Sequence, residues 1–511
     1  MARLHEYQGK AILAANGFKI PRGRVVSSPA DAVTAAKELG GPVVVKIQSW
    51  TTGRASIGGV AFAKNAEEVR AHAERMLAMK VGQFPVEKLL VEEKIDIGRE
   101  FFLSFAIDDA ARAPVIIFSP GGGTGIEERA ASARRIPCDV NGGPVERAVN
   151  EAVASCSLSP AQRRQLTDAI GKLFRAARSV EARSLEINPL AVTKNGEFVA
   201  ADCRITIDDY AAARHPELGI EIAREFDHPP TPLERIAYAV EQADHRGTFY
   251  FAQLATAAPK ESKGLVGFHG AGGGGSMMSM DAIVNAGFTI ANFTDTSGNP
   301  SASKVYRAAR IILAQPDLVG YFGSGSGVAS QEQYWSAYGL AKAFWELDLD
   351  IPAVIRLGGN TEDRAVDILH RMAKLLRAPV EGYRKTDTPA FIAARFAELV
   401  AQAGGKKWQP RPPRAPKFVG ASSAAEFPVK NGRVWIDTAR WREIRPAVEA
   451  HSGGLIIDQR DAPAGALPAE EFATKDSELL ACDVECRLAG IEGFYLQLDI
   501  PGLNGQMGGG P

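Results

Sequence analysis

From Gly264 onward the chain alternates short apolar segments with amphipathic ones, and each apolar segment ends in a glycine-rich or polar turn. Gly264–His269, Thr289–Phe293, Leu318–Phe322 and Ala353–Leu357 read as strands, and Ser303–Ala314, Gln331–Leu347 and Asp363–Leu376 as helices. Strands that are apolar on both faces need cover on both sides. Intervening helices supply it in a parallel, doubly wound sheet with right-handed crossovers. Such a sheet binds ligands at the C-terminal ends of its strands, where the glycine-rich turns fall.

The first 225 or so residues follow another rule. Strand patterns at Gly23–Ser27, Pro42–Gln48, Lys88–Glu93, Glu100–Asp108, Val115–Ser119, Ser184–Val192 and Glu197–Ile207 come in hairpin-like pairs. Leu4–Asn16, Ala30–Leu39, Ala66–Met79 and Ser159–Glu181 read as helices, the last opened by Ser159 as N-cap and Pro160 in the first turn. Paired strands with helices set apart predict an α+β domain over 1–225, against the α/β pattern of 264–403. Residues 226–263 read as a connecting segment, and the Pro-rich run within 404–417 (KKWQPRPPRAPK) as a semi-rigid spacer. Residues 418–511 form a C-terminal extension of unassigned role, with strand patterns at Val434–Ile436, Gly454–Ile457 and Gly493–Leu498.

Charge and cysteine usage narrow the function classes. Lys+Arg number 59 against 60 Asp+Glu, a net charge of −1, which excludes a globally basic nucleic-acid binder. No stretch approaches the roughly 18 apolar residues of a membrane span. The N-terminus, MARLHEYQGKAILAANGFKIP, reads as an amphipathic helix without a secretory leader, so a cytoplasmic location is expected. Five cysteines (138, 156, 203, 482 and 486) are too few for a disulfide framework in a chain of 511 residues. Cys482 and Cys486 stand one helical turn apart with no second ligand pair nearby, which argues against a metal site there.

Several constellations carry chemistry. In VVVKIQSWTTGRASIGGV, Lys46 leaves a buried strand just before a Gly/Ser/Thr loop that contains Arg54. A strand-end lysine and loop N–H groups suit phosphate oxygens, although a snorkelling lysine beside a plain hairpin loop gives the same pattern. In Ser184–Cys203, Glu186 and Asn188 share a strand face at period two, and the Lys194-Asn195-Gly196 turn brings Asp202 back alongside. Hard oxygen donors converging there suit Mg²⁺ with a bound phosphate. Glu92 and Glu100 flank a strand–turn–strand segment suited to holding a ribose or a cation. FHGAGGGGSMMSMD, YFGSGSGVASQ and the Arg356–Asn360 turn place three anion-friendly loops at one sheet edge, which suits a carboxylate.

Together these stretches resemble one family. LHEYQGKAIL, VVVKIQ…GR…GGV, LEINPLAVTKNGEF…AD, ANFTDTSGNPSASKVYRAARIIL and IPAVIRLGGNTED, in this order, make residues 3 to about 400 similar to the β subunit of succinyl-CoA synthetase. The likeness extends to the related nucleoside-diphosphate-forming acyl-CoA synthetases, including the corresponding part of ATP-citrate lyase. It implies an ATP-grasp domain followed by a flavodoxin-like ligase domain. It also implies ATP contacts at Lys46, Gly53, Arg54, Ala55, Glu92, Ile95 and Glu100, and Mg²⁺ ligands at Asn188 and Asp202. The substrate side would fall at His269, Gly327, Val328, Ala329 and Arg356.

The implied reaction joins a carboxylic acid to CoA with ATP consumed to ADP and phosphate. It passes through a phosphohistidine on an α-type, CoA-binding partner subunit, so no covalent catalyst is expected in this chain. Two departures stand out. The GRGK-like loop reads Gly53-Arg54-Ala55-Ser56, and Ser330 stands where succinate enzymes carry arginine. They lead to an acid other than succinate, of the citrate or malate kind, or to a regulatory scaffold with a degenerate nucleotide site.

Overall fold

Alternation decides the first sheet. In the strand Val43–Ile47 the side chains of Val43, Val45 and Ile47 enter a core with Val26, Val33, Val69, Met76 and Val91, contributed in part by the helices Pro29–Leu39 and Ala66–Leu77. Lys46 is thereby turned to the opposite face. The neighbouring strands Leu89–Glu93 and Val60–Ala63 pair antiparallel with it, and Gly23–Val26 completes the order on the far side of Leu89–Glu93. The register sets Val44 opposite Glu92 and Lys46 opposite Leu90, so Lys46 and Glu92 are diagonal neighbours on one face.

This computed structural model describes residues 1–123, 133–244, 247–325, 332–417, 429–430, 433–434, 455–458, 469–490 and 494–503. It divides into two units, Met1–Pro230 and Thr231–Pro511.

The larger sheet of the first unit runs Ala2–Arg3, Cys203–Ile207, Ala182–Thr193, Ile97–Asp108, Ala113–Ser119, Arg134–Asp139 and Gly143–Pro144, with Phe198–Ala200 paired to Ala182–Thr193. One face is covered by the helices Glu6–Ala15 and Pro160–Ser179, which bury Leu13, Leu166, Ile170 and Leu173 against Leu103, Leu185 and Ile205. Ser159 and Gln162 cap the second helix reciprocally, as the Ser-Pro start predicts. The expected strand Glu197–Ile207 is two strands instead. The chain breaks at Ala201–Asp202, which frees the Asp202 side chain from the ladder.

In the second unit the four expected strands form a parallel sheet in the order Thr289–Asp295, Leu265–Ala271, Leu318–Gly325, Ala353–Arg356, extended by Val380–Tyr383. Tyr250–Gln253 adds an antiparallel edge, and the helix Pro232–Gln242 packs behind it, so most of 226–263 belongs to this unit rather than forming a connector. The helices Gly273–Asn285 and Pro389–Gln402 cover one face, and Ala302–Ile312, Tyr334–Glu346 and Glu362–Ala373 cover the other. The strand Val380–Tyr383 and the helix Pro389–Gln402 add to the elements expected from the sequence.

The Pro-rich run is not a spacer. Trp408 is fully buried, its Nε1 donates to Leu313 O at 2.6 Å, and its backbone N–H donates to Leu318 O at 2.8 Å. Arg411 pairs with Asp350 at 2.8 Å, and the Arg414 N–H donates to Glu346 O at 2.7 Å. Proline leaves the other N–H and C=O groups of the segment able to bond, and a strap along the unit results. Beyond it the helix Ala469–Leu488 packs on Tyr334–Glu346 and Ala302–Ile312, and Leu480, Val484 and Leu496 enter the same core as Val305 and Leu340. Among the described residues no helix is long and apolar enough to cross a membrane.

Candidate functional site

Six charged side chains meet in the first unit. Lys46 Nζ lies 2.8 Å from Glu6 Oε1 and 2.8 Å from Glu92 Oε2, and donates to Ala201 O at 2.9 Å. Lys10 bridges the same two carboxylates, at 2.7 Å from Glu6 and 2.5 Å from Glu92. Arg54 reaches Glu6 Oε2 at 2.7 Å and grips both oxygens of Asp202 at 2.8 and 2.7 Å. Three carboxylates therefore face three cations. Burial works against the charges of Glu6, Lys46 and Arg54. For Glu6 the neighbouring Lys46, Arg54 and Lys10 outweigh it and hold the carboxyl well below the usual range. For Lys46 and Arg54 burial is likewise overcome, by Glu6 and Glu92 and by Asp202 and Glu6, and both pKa values rise.

Local geometry builds the cluster. The loop after Lys46 folds back so that Gly59 N–H donates to Arg54 O at 2.7 Å, and a Cβ on Gly59 would stand 2.5 Å from Ile47 Cδ1. Only glycine allows that approach, and it turns the Arg54 side chain inward. Gly53 and Ala55, in contrast, lie exposed in a turn closed by Ser56 N–H to Gly53 O at 2.9 Å.

Asn188 sits where the pairing with Ile97–Asp108 shifts between Ile187 and Leu190. Its Oδ1 accepts from Gly123 N–H at 2.7 Å, and its own N–H reaches Asp202 O at 3.4 Å. Gly123 has φ +81°, and a Cβ there would collide with the Glu100 carboxylate. Glu100 and Asn188 thus flank one glycine, beside the ion cluster. Ile95 is half-buried in the turn between two strands, without a polar group to offer beyond its backbone. Glu186 stands opposite Arg204 and Ser104 and borders a separate polar cavity of about 160 Å³ with Arg3 and Glu225.

The expected divalent-cation ligands fit hard-cation chemistry. An amide oxygen and a carboxylate are the right donors, and Arg54 already holds a positive charge against both Asp202 oxygens.

In the second unit Arg356 ends its strand with the guanidinium folded in. Nη1 donates to Gly325 O at 3.0 Å and Nη2 to Lys385 O at 2.9 Å, while the buried Nε has no hydrogen-bond partner among the described residues. Burial lowers its pKa, offset in part by Asp387 and Glu362. It is a nine-tenths buried cation bonded to carbonyls, which leaves it poised for an anion. His269 is buried, with Nδ1 2.6 Å from the Tyr321 hydroxyl and Nε2 3.1 Å from Thr296 Oγ1. Burial depresses it to about 4, so it is a neutral ring with both nitrogens engaged, which makes it a polar contact under the sheet edge. Gly327, Val328, Ala329 and Ser330 lie outside the described residues.

The structure thus brings together Lys46, Arg54, Glu92 and Asp202, all singled out from the sequence, and adds Glu6 and Lys10, which were not. Their signal was present as a Glu/Lys pair at i, i+4 on an N-terminal helix whose residues are otherwise apolar or small on that face.

Residues 3–192 match the ATP-grasp domain family. The chain is 32% identical over 406 residues to the β subunit of ADP-forming succinate–CoA ligase of Rubrobacter xylanophilus, covering 78% of this chain and 99% of that one. It is 34% identical to the GDP-forming β subunit of Thermus thermophilus (79% and 99%) and 36% identical to ADP-forming subunit β 1 of Archaeoglobus fulgidus (77% and 100%). ATP citrate lyase of Methanothrix soehngenii, solved with citrate and coenzyme A, shares the fold with a TM-score of 0.59 at 19% identity, over 78% of this chain and 99% of that one. Likeness that runs through nearly the whole length of those β subunits places this chain in the family of succinate–CoA ligase β subunits.

Proposed function

We propose that this chain is the nucleotide-binding subunit of an ADP-forming carboxylate–CoA ligase, in which Lys46, Arg54 and the Glu92–Glu100 segment hold ATP. The observation that carries the reading is the buried meeting of Lys46 and Arg54 with Glu6, Glu92 and Asp202 on converging elements of the ATP-grasp unit. A triphosphate entering there competes with carboxylates for the same two cations, so its charge is neutralised as it binds. Gly53 and Ala55 offer backbone N–H groups at the rim. Asn188 and Asp202 would hold Mg²⁺, which supplies charge neutralisation on the phosphates and helps orient them.

The γ-phosphoryl group then passes to a histidine of an α-type partner and on to the acid carboxylate, giving an acyl phosphate. The CoA thiol attacks its carbonyl and expels phosphate, so that ATP, acid and CoA become ADP, phosphate and acyl-CoA. Arg356 and the 327–329 loop bind the carboxylate side, with His269 as a neutral polar support. Ser330 in place of arginine favours an acid other than succinate, with hydroxyl or further carboxyl groups. The five free cysteines support a reducing, cytoplasmic setting.

The test is co-expression with the α-type subunit, followed by CoA- and ATP-dependent ADP release across a panel of mono-, di- and tricarboxylic acids. Turnover with one acid, abolished by Asp202→Ala, is the expected result. Absence of turnover with every acid, together with no ATP-induced rise in Tm, sinks the ligase reading in favour of a scaffold.

A further inference from the structure

The β subunits above match about 78% of this chain over nearly their whole length, so the C-terminal extension is an addition to what they contain. Its helix Ala469–Leu488 is pinned by polar groups as well as by apolar contact. Ser477 Oγ accepts from Ala302 N–H at 2.9 Å, and Asp483, fully buried, pairs with the fully buried Lys342 at 2.5 Å. Glu485 reaches further. Its Oε1 accepts from the Tyr338 hydroxyl at 2.6 Å, and its Oε2 lies 3.8 Å from Arg371.

From Glu485 two sets of bonds, joined by the backbone of one helix turn, lead to the strand edge that carries Arg356. Tyr338 also accepts from Arg364 Nη2 at 2.7 Å, and the Arg364 guanidinium stacks 4.1 Å over Tyr334. Arg364 sits in the first turn of the helix Glu362–Ala373, and the backbone of that turn connects it to Glu362 two residues before. Glu362 Oε2 accepts from Gly359 N–H at 3.3 Å and from Lys385 N–H at 3.0 Å, and Lys385 O holds Arg356. The start of the other helix is tied in by Gln333 N–H to Asn360 O at 2.9 Å. Between them, Thr361 is held at φ +54°, a left-handed conformation that a β-branched residue adopts only when its surroundings impose it.

We propose that the C-terminal extension is a built-in brace for the acid-binding edge of the second unit, with Glu485 as a positioning residue that fixes the turn 357–361 and the Arg356 guanidinium through Tyr338 and Arg364. The brace rests on the reading that Arg356 meets the acid. It acts on substrate binding without touching substrate. The extension then gives this chain a means of setting acid affinity that its shorter relatives lack.

The experiment uses the full chain with its partner and three forms: wild type, Glu485→Ala and Glu485→Gln. Hydrogen exchange is measured over 332–338 and 357–364, and KM and kcat are measured for the acid and for ATP. Glu485→Ala is expected to speed exchange in both segments and raise KM for the acid about tenfold, with kcat and KM for ATP within twofold of wild type. Glu485→Gln, which keeps an acceptor for Tyr338, is expected to restore most of both effects. Unchanged exchange in Glu485→Ala overturns the brace, as does faster exchange with an unchanged acid KM. Equal rises in both KM values would mean a general loss of fold and also overturn it. A wild-type complex inactive on every acid refutes the ligase reading instead, and the exchange data then decide the brace separately.

Discussion

Glu6 is the test of how the nucleotide unit is held together. Its side chain is about 1% exposed and touches three cations, at 2.7 Å (Lys10), 2.8 Å (Lys46) and 2.7 Å (Arg54). Glu6→Gln keeps the shape, removes the charge and turns an amide N–H₂ toward those cations. Breaking a buried pair by removing one partner costs about 3–5 kcal/mol. Here Lys10 and Lys46 keep Glu92, and Arg54 keeps Asp202, so the loss belongs at the lower end.

About 3 kcal/mol in a unit of this size is roughly 6–12 °C in Tm. The sign with pH follows from the depressed pKa of Glu6. Its stabilisation is fully present above the unfolded carboxyl value and is lost as pH falls through the lower, folded value. The gap between wild type and variant should accordingly be widest near neutrality and narrow in acid. The variant also leaves one cation in excess, so saturating ATP should raise its Tm by more than it raises that of wild type. Calorimetry from pH 3 to 8, with and without ATP, measures all three. A drop below about 2 °C at pH 7, or a gap that does not close in acid, would refute a dry, charge-balanced cluster.

Three further outcomes follow from single sites. His269, neutral with a pKa of about 4 in the folded chain, loses up to about 3 kcal/mol of stability relative to the unfolded chain as pH falls from the unfolded value near 6.5 to 4. His269→Gln should remove that part of the acid slope in a chemical-denaturation series, and an unaltered slope would contradict the buried neutral ring. Trp408→Ala should cost about 3–5 kcal/mol, because it opens a cavity and strands Leu313 O; a loss under about 1 kcal/mol in urea titration would mean that the strap carries little. Asp483→Asn takes a carboxylate from both the fully buried Lys342, which keeps Glu346, and Arg487, and should cost about 3 kcal/mol; combined with Lys342→Met the two changes should be less than additive. Strict additivity in that cycle would show the pair to be uncoupled.

The sequence by itself determined what short-range chemistry sets. Period-two alternation marked the strand of Lys46, and Ser-Pro marked the start of the helix at 160. Strand–turn–helix repeats marked the parallel sheet, and ordered motifs marked the family. Tertiary structure decided the rest. Whether Lys46 reaches solvent or carboxylates depends on Glu6, 40 residues away in sequence, and on Glu92 across a register that no local pattern fixes. Asp202 lies in a break between Phe198–Ala200 and Cys203–Ile207, within a stretch that reads as one continuous strand. The Pro-rich run reads as a spacer because proline composition reports backbone stiffness and lost donors, whereas docking depends on whether a core offers Trp408 a carbonyl and a cavity. Long-range charge pairing has no period along the chain, so Asp483, Glu485 and Asp202 as partners of Lys342, Tyr338 and Arg54 could be found only once the fold had brought them together.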